Sequence, residues 1–466
     1  MKVVFTHAYF LNEDPKEKRV MKPYPPLGIL SISAWLEKHE FPNEVYDSTF
    51  SNPQDQRNYL VQTKPDILAI YTNLMTKIQV ASLISFIRSE RKLDSTLIVL
   101  GGPDITFNIA NYLTLRADVL VIGEGEQTML ELVQAFNKDP RPELNHINGL
   151  AFTNPGGMII TTPARAKLSS IDELPFPNRY KIDQQQYLQT WKIHHGRSSI
   201  SLSTQRGCPY TCRWCSTAVY GQSYRRRSPS LVVDEMISIQ KVYAPDQIWF
   251  VDDVFTISHK WLEEFRDQLI SRQVKIPFEC ISRADRMNEE VIALLKEAGC
   301  FRVWIGAESG SQKILDAMDR RVDVRQVQDI IITARRFGLE AGTFIMLGYP
   351  GESESDILQT LEHLQTADPD LFTITVAYPI KGTSLYEMTE STQMKSADWA
   401  STTDREIDFK RTFTRRYYDF AIRWITSSVH LHKMKQKGTS SGPAGWKTRL
   451  KIIGARSGMA LLKGLS

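Results

Sequence analysis

The part of the sequence best suited to chemistry is a loop with three cysteines, Cys208, Cys212 and Cys215, within the eight residues CPYTCRWC. No cysteine precedes this loop, and the other two of the five, Cys280 and Cys300, lie far downstream. An odd and clustered cysteine count favours metal or redox chemistry over a disulfide framework. A cubane iron–sulfur cluster has four irons, so three thiolates would leave one iron open to a small molecule.

A zinc site is the main alternative for this loop. Structural zinc sites use four ligands in closed tetrahedral geometry, usually as two separated pairs. The loop offers three cysteines, and the next one, Cys280, comes 65 residues after Cys215. The spacing therefore favours a cluster over zinc. Cys280 and Cys300 are predicted to be buried small hydrophobic residues.

Polar residues follow several predicted strands downstream of the loop. Asp252 and Asp253 follow WFV, Ser282 and Arg283 end FECISR, and Glu308 lies among small residues in WIGAESGS. At the ends of barrel strands such groups face the active site. Taken singly, each could equally cap a helix or form a surface ion pair.

Six strand-and-helix units are predicted in the region that contains the cysteine loop. The strand-like runs are SISLST, QIWFVDD, FECISR, FRVWIGAE, AGTFIMLG and LFTITVAY, with helical patterns between them. Six units predict an incomplete relative of the eightfold β/α barrel, with the active site at the carboxyl ends of its strands.

The N-terminal third predicts a doubly wound α/β domain. Apolar runs such as KVVFTH, DILAIYT and TLIVLGG alternate with helical patterns, which is typical of a parallel sheet covered on both faces. Ligands of such sheets bind outside the carboxyl ends of the strands. These ends carry Thr72, the Gly101–Gly102 pair and Gly123, Glu124 and Gly125. The glycines would let backbone approach a ligand, or form ordinary turns.

Four segments are predicted along the chain. Residues 1–145 form the doubly wound domain, 146–195 a hairpin and linker, 196–390 the partial barrel, and 391–466 a mostly helical, basic segment. Residues 433–466 contain eight Lys or Arg and no Asp or Glu. This stretch predicts either a solvated, partly disordered tail or a basic amphipathic helix in peripheral contact with a membrane or a partner.

Composition limits the remaining possibilities. The chain has 466 residues, of which 42% are hydrophobic and 24% charged, as in ordinary folded proteins. A net charge of +4 is small for this length, so a nucleic-acid partner is not expected. No stretch approaches the roughly 20 apolar residues that span a bilayer, and we expect a cytoplasmic protein.

The cysteine loop resembles the signature of the radical S-adenosylmethionine (SAM) superfamily, C-x3-C-x-aromatic-C, with Trp214 in the aromatic position. The resemblance implies a [4Fe–4S] cluster on Cys208, Cys212 and Cys215, with SAM on the open iron and reductive SAM cleavage. It also implies a one-electron reductant such as flavodoxin or ferredoxin. The SAM-binding residues implied are Tyr210, Trp214, Asp252, Asp253, Ser282, Arg283, Glu308 and Gly348.

The domain order, with PPLGILSISAWL, LGGPDIT and IGEGEQTMLELV, resembles cobalamin-binding radical SAM enzymes. That group includes C-methyltransferases and the anaerobic oxidative cyclase of magnesium-protoporphyrin monomethyl ester, so a small-molecule substrate is implied. One departure is that no D-x-H-x-x-G motif follows Asp47, which leaves no histidine to reach cobalt. Cobalamin would then be held by shape and backbone, at Gly28, Thr72, Gly101, Gly102, Gly123, Glu124 and Gly125.

Three functional hypotheses stay open on the sequence. The first is a cobalamin-dependent methyltransferase, or an oxidative cyclase of the same architecture. The second is a radical SAM enzyme whose N-terminal domain no longer binds cobalamin, and the third a noncatalytic iron–sulfur protein. Methylthiotransferases by resemblance carry three further N-terminal cysteines, which this chain lacks.

Overall fold

The computed structural model describes residues 1–394 and 399–463. Two parts of the predicted C-terminal segment, 395–398 and 464–466, lie outside the described residues. The chain divides into two compact units. In the described residues, the first unit holds 1–209, 216–249 and 399–404, and the second holds 210–215, 250–394 and 405–463. The four predicted segment boundaries remain a prediction.

A seven-stranded sheet organises the first unit, in the order β2-β1-β3-β4-β5-β6-β7. Its first five strands are parallel, as predicted, and the predicted hairpin extends the same sheet as two antiparallel strands. The strands are β1 (Val3–His7), β2 (Asn43–Tyr46), β3 (Ile67–Tyr71), β4 (Leu97–Gly101), β5 (Val119–Val121), β6 (Leu150–Thr153) and β7 (Ile159–Thr161).

Helices cover both faces of this sheet because alternate strand residues point to opposite sides. Val4, on β1, belongs to the apolar cluster between the sheet and the helices on one face. Its neighbour Phe5 belongs to the apolar cluster on the opposite face. The helices of the first unit are α1 (Glu17–Val20), α2 (Leu27–Lys38), α3 (Pro53–Thr63), α4 (Lys77–Ser89), α5 (Ile109–Thr114), α6 (Gly125–Lys138), α7 (Gln184–His195) and α8 (Pro229–Tyr243).

A second sheet has six strands in the order β15-β14-β13-β12-β11-β8. Its four strands from β12 to β15 pair in parallel, and the predicted partial barrel fold is confirmed. A short ribbon, β9–β10, is antiparallel. These strands are β8 (Ser199–Leu202), β9 (Gln205–Arg206), β10 (Arg225–Arg226), β11 (Gln247–Phe250), β12 (Phe278–Ser282), β13 (Cys300–Glu308), β14 (Glu340–Leu347) and β15 (Leu371–Val376).

An aromatic core supports the first part of the second unit. Phe250, Phe255, Phe265 and Phe278 are fully buried and lie with neighbouring ring centroids 4.7 to 6.1 Å apart. The helices of this unit are α9 (His259–Ser271), α10 (Glu289–Glu297), α11 (Gln312–Ala317), α12 (Val324–Arg336), α13 (Glu354–Ala367), α14 (Ser384–Thr389), α15 (Arg415–Gln436) and α16 (Pro443–Leu462).

The basic C-terminal stretch is mostly helical in the described residues, as the end of α15 and as α16, so the disordered-tail alternative is wrong for these two helices. Helix α16 packs antiparallel on α15, since Gly458 lies against Phe420 and Arg456 lies over the ring of Trp424. A Cβ at Gly458 would come within 2.6 Å of the Phe420 ring, so glycine allows this close approach. No helix in the described ranges is long and apolar enough to cross a membrane.

Candidate functional site

Residues 210–215 of the cysteine loop belong to the second unit, where hydrogen bonds hold them. The amide of Arg213 donates to the carbonyl oxygen of Met318 (3.1 Å), and the amide of Leu385 donates to the carbonyl oxygen of Arg213 (2.8 Å). The hydroxyl of Thr211 donates to the carboxylate of Asp319 (2.6 Å). These contacts hold residues 210–215 against the ends of the barrel helices.

Two aromatic residues that were predicted to bind SAM also anchor the loop. Trp214 is half-buried and packs on an apolar cluster that contains Tyr349 and Met318. The ring of Tyr210 lies 3.9 Å from the guanidinium of Arg283, and its hydroxyl accepts a hydrogen bond from Arg286. The loop conformation therefore depends on both aromatic side chains.

Two guanidinium groups flank the thiol of Cys212. Nη1 of Arg283 lies 3.6 Å from its Sγ and Nη1 of Arg320 lies 3.7 Å from it. Both arginines are nearly buried, and their positions are set by backbone, because Arg283 donates to the carbonyl of Arg320 (2.7 Å) and Arg320 to that of Gly306 (3.0 Å). Hydrogen bonds to sulfur and nearby positive charge are two factors that tune iron–sulfur clusters. Sequence reasoning missed Arg320 because no motif marks it.

The three cysteines of the loop fit a cluster with an open iron. None is in a disulfide; Cys208 and Cys212 are half-buried and Cys215 is exposed. Among residues 1–394 and 399–463, no three His, Cys, Asp or Glu side chains converge on a single-ion site. In a cubane each thiolate binds a different iron, so three cysteines leave the fourth iron open. As predicted, Cys280 and Cys300 are buried away from solvent.

Glu308 ends β13 in an unusual backbone conformation. Its φ is +64°, in the left-handed region, and the pairing register with β14 shifts between Gly306 and Glu308. Burial raises the pKa of its carboxyl, while Arg320 at 3.8 Å and Arg283 lower it in part. A Cβ at Gly306 would lie 2.4 Å from the Arg320 guanidinium, so glycine leaves room for this pair.

The aspartates after β11 form a carboxylate pair. Asp252 is buried and Asp253 is exposed beside it. Desolvation by the surrounding protein raises the pKa of Asp253, and the charge of Asp252 raises it further. Ser282, also predicted to bind SAM, is buried and its hydroxyl is hydrogen-bonded to that of Thr256. Of these groups, Asp253 is the one that faces solvent.

Gly348, the last predicted SAM-binding residue, turns the chain at the end of β14. Its φ is +77°, and a Cβ there would lie 3.2 Å from Val376 and 3.3 Å from Arg411. Its amide donates to the buried carboxyl of Glu352 (2.6 Å). Burial raises the pKa of Glu352 to about 8. Sequence reasoning missed this residue, although GYPGE places a carboxyl four residues after the glycine.

The first unit contains a cavity of about 460 Å³ at the carboxyl ends of β1, β3, β4 and β5. In a sheet with this strand order, ligands bind at this edge. Six of the seven predicted cobalamin-binding residues line it, namely Gly28, Gly101, Gly102, Gly123, Glu124 and Gly125. The lining residues that were not predicted include Tyr24, Tyr71, Asn73, Met129, Val219 and Tyr220. No histidine is among the described residues around this cavity.

Thr72 is the predicted residue that does not line the cavity. It is fully buried behind the wall, and its backbone lies against Gly102. A Cβ at Gly102 would meet the carbonyl oxygen of Thr72 at 2.3 Å, and the φ of Gly102 is +116°. Only glycine can take this conformation without strain at such a close approach.

An ion-pair network borders the cavity beside Glu124. Arg225 and Arg206 pair with the carboxylate of Glu124, and Arg206 also pairs with Glu126. Burial alone would lower the pKa of Arg206, but Glu126 and its neighbours raise it above its ordinary value. The ring of Tyr220 lies 5.2 Å from the Arg206 guanidinium. Sequence reasoning missed Tyr220 because it comes from a segment almost a hundred residues after Glu124.

The end of β2 contains a separate polar network. His7 lies 2.9 Å from Asp47, whose other carboxylate oxygen accepts a hydrogen bond from Tyr187 (2.8 Å). Burial would raise the pKa of Asp47, but these partners hold it below its usual value. These residues do not line the cavity, and they join the ends of β1 and β2 to α7.

Two family models match the chain. The model of the radical SAM superfamily matches residues 202–364, which include the cysteine loop, and the model of the B12 binding domain matches residues 19–133. An uncharacterized methyltransferase of Pyrococcus horikoshii is 30% identical over 78% of this chain and 78% of its own length. The anaerobic magnesium-protoporphyrin IX monomethyl ester cyclase of Rubrivivax gelatinosus is 26% identical over 80% of this chain and 67% of that protein.

Solved structures share the fold. The cobalamin-dependent SAM radical enzyme OxsB superposes with a TM-score of 0.75 at 16% identity, over 99% of this chain and 72% of that chain. The radical SAM methyltransferase TsrM from Kitasatospora setae superposes with a TM-score of 0.70 at 18% identity, over 85% of this chain and 79% of that chain. The chain is therefore an enzyme that belongs to the radical SAM superfamily, in the group whose members carry a B12-binding domain ahead of the barrel.

Proposed function

We propose that this enzyme is a cobalamin-dependent radical SAM methyltransferase that acts on a small molecule. The observation that carries the proposal is the cavity of about 460 Å³ in the first unit, whose wall contains five glycines, all but Gly28 within four residues of a strand end. Its volume is within the range of about 300–1,000 Å³ that is usual for ligand pockets. The glycines leave backbone open to a large planar ligand.

The cofactor-binding residues follow from the same proposal. When bound, the reduced cluster supplies the electron that cleaves SAM, and cobalamin serves as the methyl carrier. The cluster is held by Cys208, Cys212 and Cys215. SAM is bound by Tyr210, Trp214, Asp252, Asp253, Ser282, Arg283, Glu308 and Gly348, and cobalamin by Gly28, Gly101, Gly102, Gly123, Glu124 and Gly125, with Thr72 supporting Gly102 from behind.

The roles of the barrel residues differ in this proposal. Asp253 and Glu308 carry carboxyls with raised pKa values, and they accept hydrogen bonds from the ammonium group of SAM. Arg283 and Arg320 hold the cysteine loop and place positive charge beside it. Ser282, which is buried against Thr256, positions the end of β12 and touches SAM only through backbone.

In this proposal cobalamin is bound without a protein side chain on cobalt, and the residues that line the cavity support this. No histidine lines it among the described residues, and the only ionisable side chains on the wall are carboxylates and tyrosines. Glu124 and Glu126 are already paired with arginines. Shape and backbone contacts therefore supply the binding energy.

Methyl transfer is preferred because the relative with 30% identity over 78% of the chain is named a methyltransferase. Oxidative cyclisation of a small molecule such as a tetrapyrrole is the second candidate, since the magnesium-protoporphyrin ester cyclase covers a similar share of the chain at 26% identity. Both reactions draw electrons from a one-electron donor of the flavodoxin or ferredoxin class.

The test uses protein produced with hydroxocobalamin and reconstituted anaerobically. We expect one retained corrinoid per chain, a [4Fe–4S] absorption spectrum, and turnover of SAM after reduction with dithionite. SAM with a deuterated methyl group separates the candidates, because a methyltransferase releases S-adenosylhomocysteine and places label in its product. Label-free products would favour cyclisation, for which magnesium-protoporphyrin monomethyl ester is the probe.

The matched control is a Cys208→Ala, Cys212→Ala, Cys215→Ala variant, which should retain corrinoid but lose SAM turnover. Full cluster loading and SAM cleavage without bound corrinoid would contradict the cobalamin assignment and leave a radical SAM enzyme whose first unit has another role. A cluster without SAM cleavage would contradict the proposed activity altogether.

A further inference from the structure

Helix α16 presents an apolar stripe to solvent. Its members are four exposed large apolar side chains, Trp446 (63% exposed), Leu450 (68%), Ile453 (61%) and Leu461 (79%). Their spacing of four, three and eight residues places them on one face of the helix. The opposite face, with Thr448, Ala455 and Met459, is buried. The helix therefore has two apolar faces, and α15 covers one.

Cations border the stripe on both sides. At about 100° per residue, Lys447 and Lys451 lie on one flank and Arg449 and Arg456 on the other. The guanidinium of Arg449 lies 5.2 Å from the ring of Trp446, at the N-terminal end of the stripe. No Asp or Glu occurs in the sequence after Asp419. The exposed face of α16 is thus apolar at its centre and positively charged at both edges.

We propose that α16 docks on the surface of an anionic phospholipid bilayer, with its axis in the plane of the membrane. The apolar stripe would enter the boundary between headgroups and acyl chains, and the flanking Lys and Arg side chains would reach the lipid phosphates. The stripe from Trp446 to Leu461 is about 22 Å long. Such a helix lies on a membrane and does not cross it, in agreement with the finding for the described helices.

Charge identifies the lipid as anionic and argues against a second copy of the chain. A two-fold contact of α16 with itself would bring two rows of Lys and Arg together, which costs free energy. Nucleic acid would complement the charge, but it would leave the apolar stripe, apart from Trp446, without a partner. An anionic bilayer satisfies the apolar and the charged parts of the face together.

The experiment is co-sedimentation of the holoenzyme with phospholipid vesicles. We expect binding to vesicles that contain phosphatidylglycerol in phosphatidylcholine, weaker binding at high salt, and little binding to phosphatidylcholine alone. Leu450→Gln with Ile453→Gln should abolish binding. Lys447→Glu and Lys451→Glu should each reduce the partition coefficient at least about fivefold. Because all four side chains are exposed, the melting temperature should not change.

Matched controls come from exposed positions on other helices. Ile193→Gln on α7, where the isoleucine is 77% exposed, and Lys260→Glu on α9 should leave vesicle binding unchanged. Equal binding to neutral and anionic vesicles, or binding that the α16 variants do not alter, would overturn the proposal. So would concentration-dependent dimerisation, or RNA binding, that the same variants abolish while vesicle binding persists. Cofactor loading is not a readout, so this test is independent of the proposed reaction.

Discussion

Nη1 of Arg283 lies 3.6 Å from the Sγ of Cys212, while the centre of its guanidinium lies 3.9 Å from the centroid of the Tyr210 ring. The sequence predicts that this arginine contacts SAM, which stays a prediction, and the structure also places it against the cysteine loop. Its Nε donates to Asp285 and its Nη2 to the carbonyl of Arg320, so the group has a fixed orientation. Its charge therefore lies permanently beside one of the proposed cluster ligands.

The charge of Arg320 is expected to raise the reduction potential of the cluster. Nη1 of this residue lies 3.7 Å from Cys212, and positive charge stabilises the reduced, more negative cluster. We expect Arg320→Gln to lower the potential by roughly tens of millivolts and Arg320→Lys to lower it less. Redox titration followed by electron paramagnetic resonance of the reduced cluster measures this. Arg336→Gln, at an exposed site on α12, is the control, and an equal shift there would refute the local explanation.

Loss of a single loop cysteine should remove the cluster. Cys215 is exposed and not part of a disulfide, and we expect Cys215→Ala to reduce iron far below the roughly four atoms per chain of a cubane. Cys300→Ala, at a buried free cysteine on β13, is the matched control and should keep its iron. Iron and sulfide analysis after anaerobic reconstitution decides the matter. Retention of iron in Cys215→Ala would show that the ligand set is different.

Local sequence patterns predict the parallel strands well. Helices bury both faces of such a strand, so its side chains are apolar along its whole length. TLIVLGG, for example, contains β4 (Leu97–Gly101) and the glycine that turns beside Thr72. Helix α3 (Pro53–Thr63) was not predicted, since its mean hydropathy is low and few of its residues are buried. A local contact marks the start of this helix, since the side chain of Asn52 caps it by accepting a hydrogen bond from the amide of Asp55.

Contacts between distant segments are the part of the site that sequence reasoning missed. Thr72 was expected to face a ligand, but the turn at Gly102 covers it. Glu124 was treated as a ligand-binding carboxylate, and its ion pair with Arg225 depends on strand pairing in the β9–β10 ribbon. No spacing rule connects residues a hundred positions apart. Six of the seven predicted residues thus line one cavity, whose wall also contains residues that were not predicted, and their role in binding cobalamin stays a prediction.

Glu352 should make the stability of the protein depend on pH. Burial raises its pKa to about 8 in the folded state, against about 4.3 in an unfolded chain. The folded state thus binds this proton more tightly, so its contribution to stability is complete below about pH 4 and is lost as the pH rises through about 8. Between these values the free energy of unfolding falls by at most about 1.4 kcal/mol per pH unit from this group.

The variant Glu352→Gln removes the titration and keeps an oxygen that can accept from the amide of Gly348. We expect its stability relative to the wild type to increase between about pH 5 and about pH 8. Urea unfolding at the two pH values measures the difference. Glu263→Gln, at an exposed position on α9, should show no such trend. If the difference in stability between Glu352→Gln and the wild type is the same at both pH values, the carboxyl of Glu352 titrates near its usual pKa.

The size of the residue at Gly28 should control access to the first-unit cavity. Gly28 is the second residue of α2, it lines the cavity, and a Cβ there would meet no atom within 4 Å. A side chain added there meets no neighbouring atom at its Cβ, and a large one at this cavity-lining position is expected to fill part of the cavity. We expect Gly28→Trp to abolish corrinoid retention and Gly28→Ala to preserve it, with melting temperatures close to that of the wild type. The absorption spectrum of protein produced with hydroxocobalamin reports the result. Normal corrinoid content in Gly28→Trp would show that cobalamin binds somewhere other than this edge of the sheet, because a side chain of that size cannot share the space with the ligand.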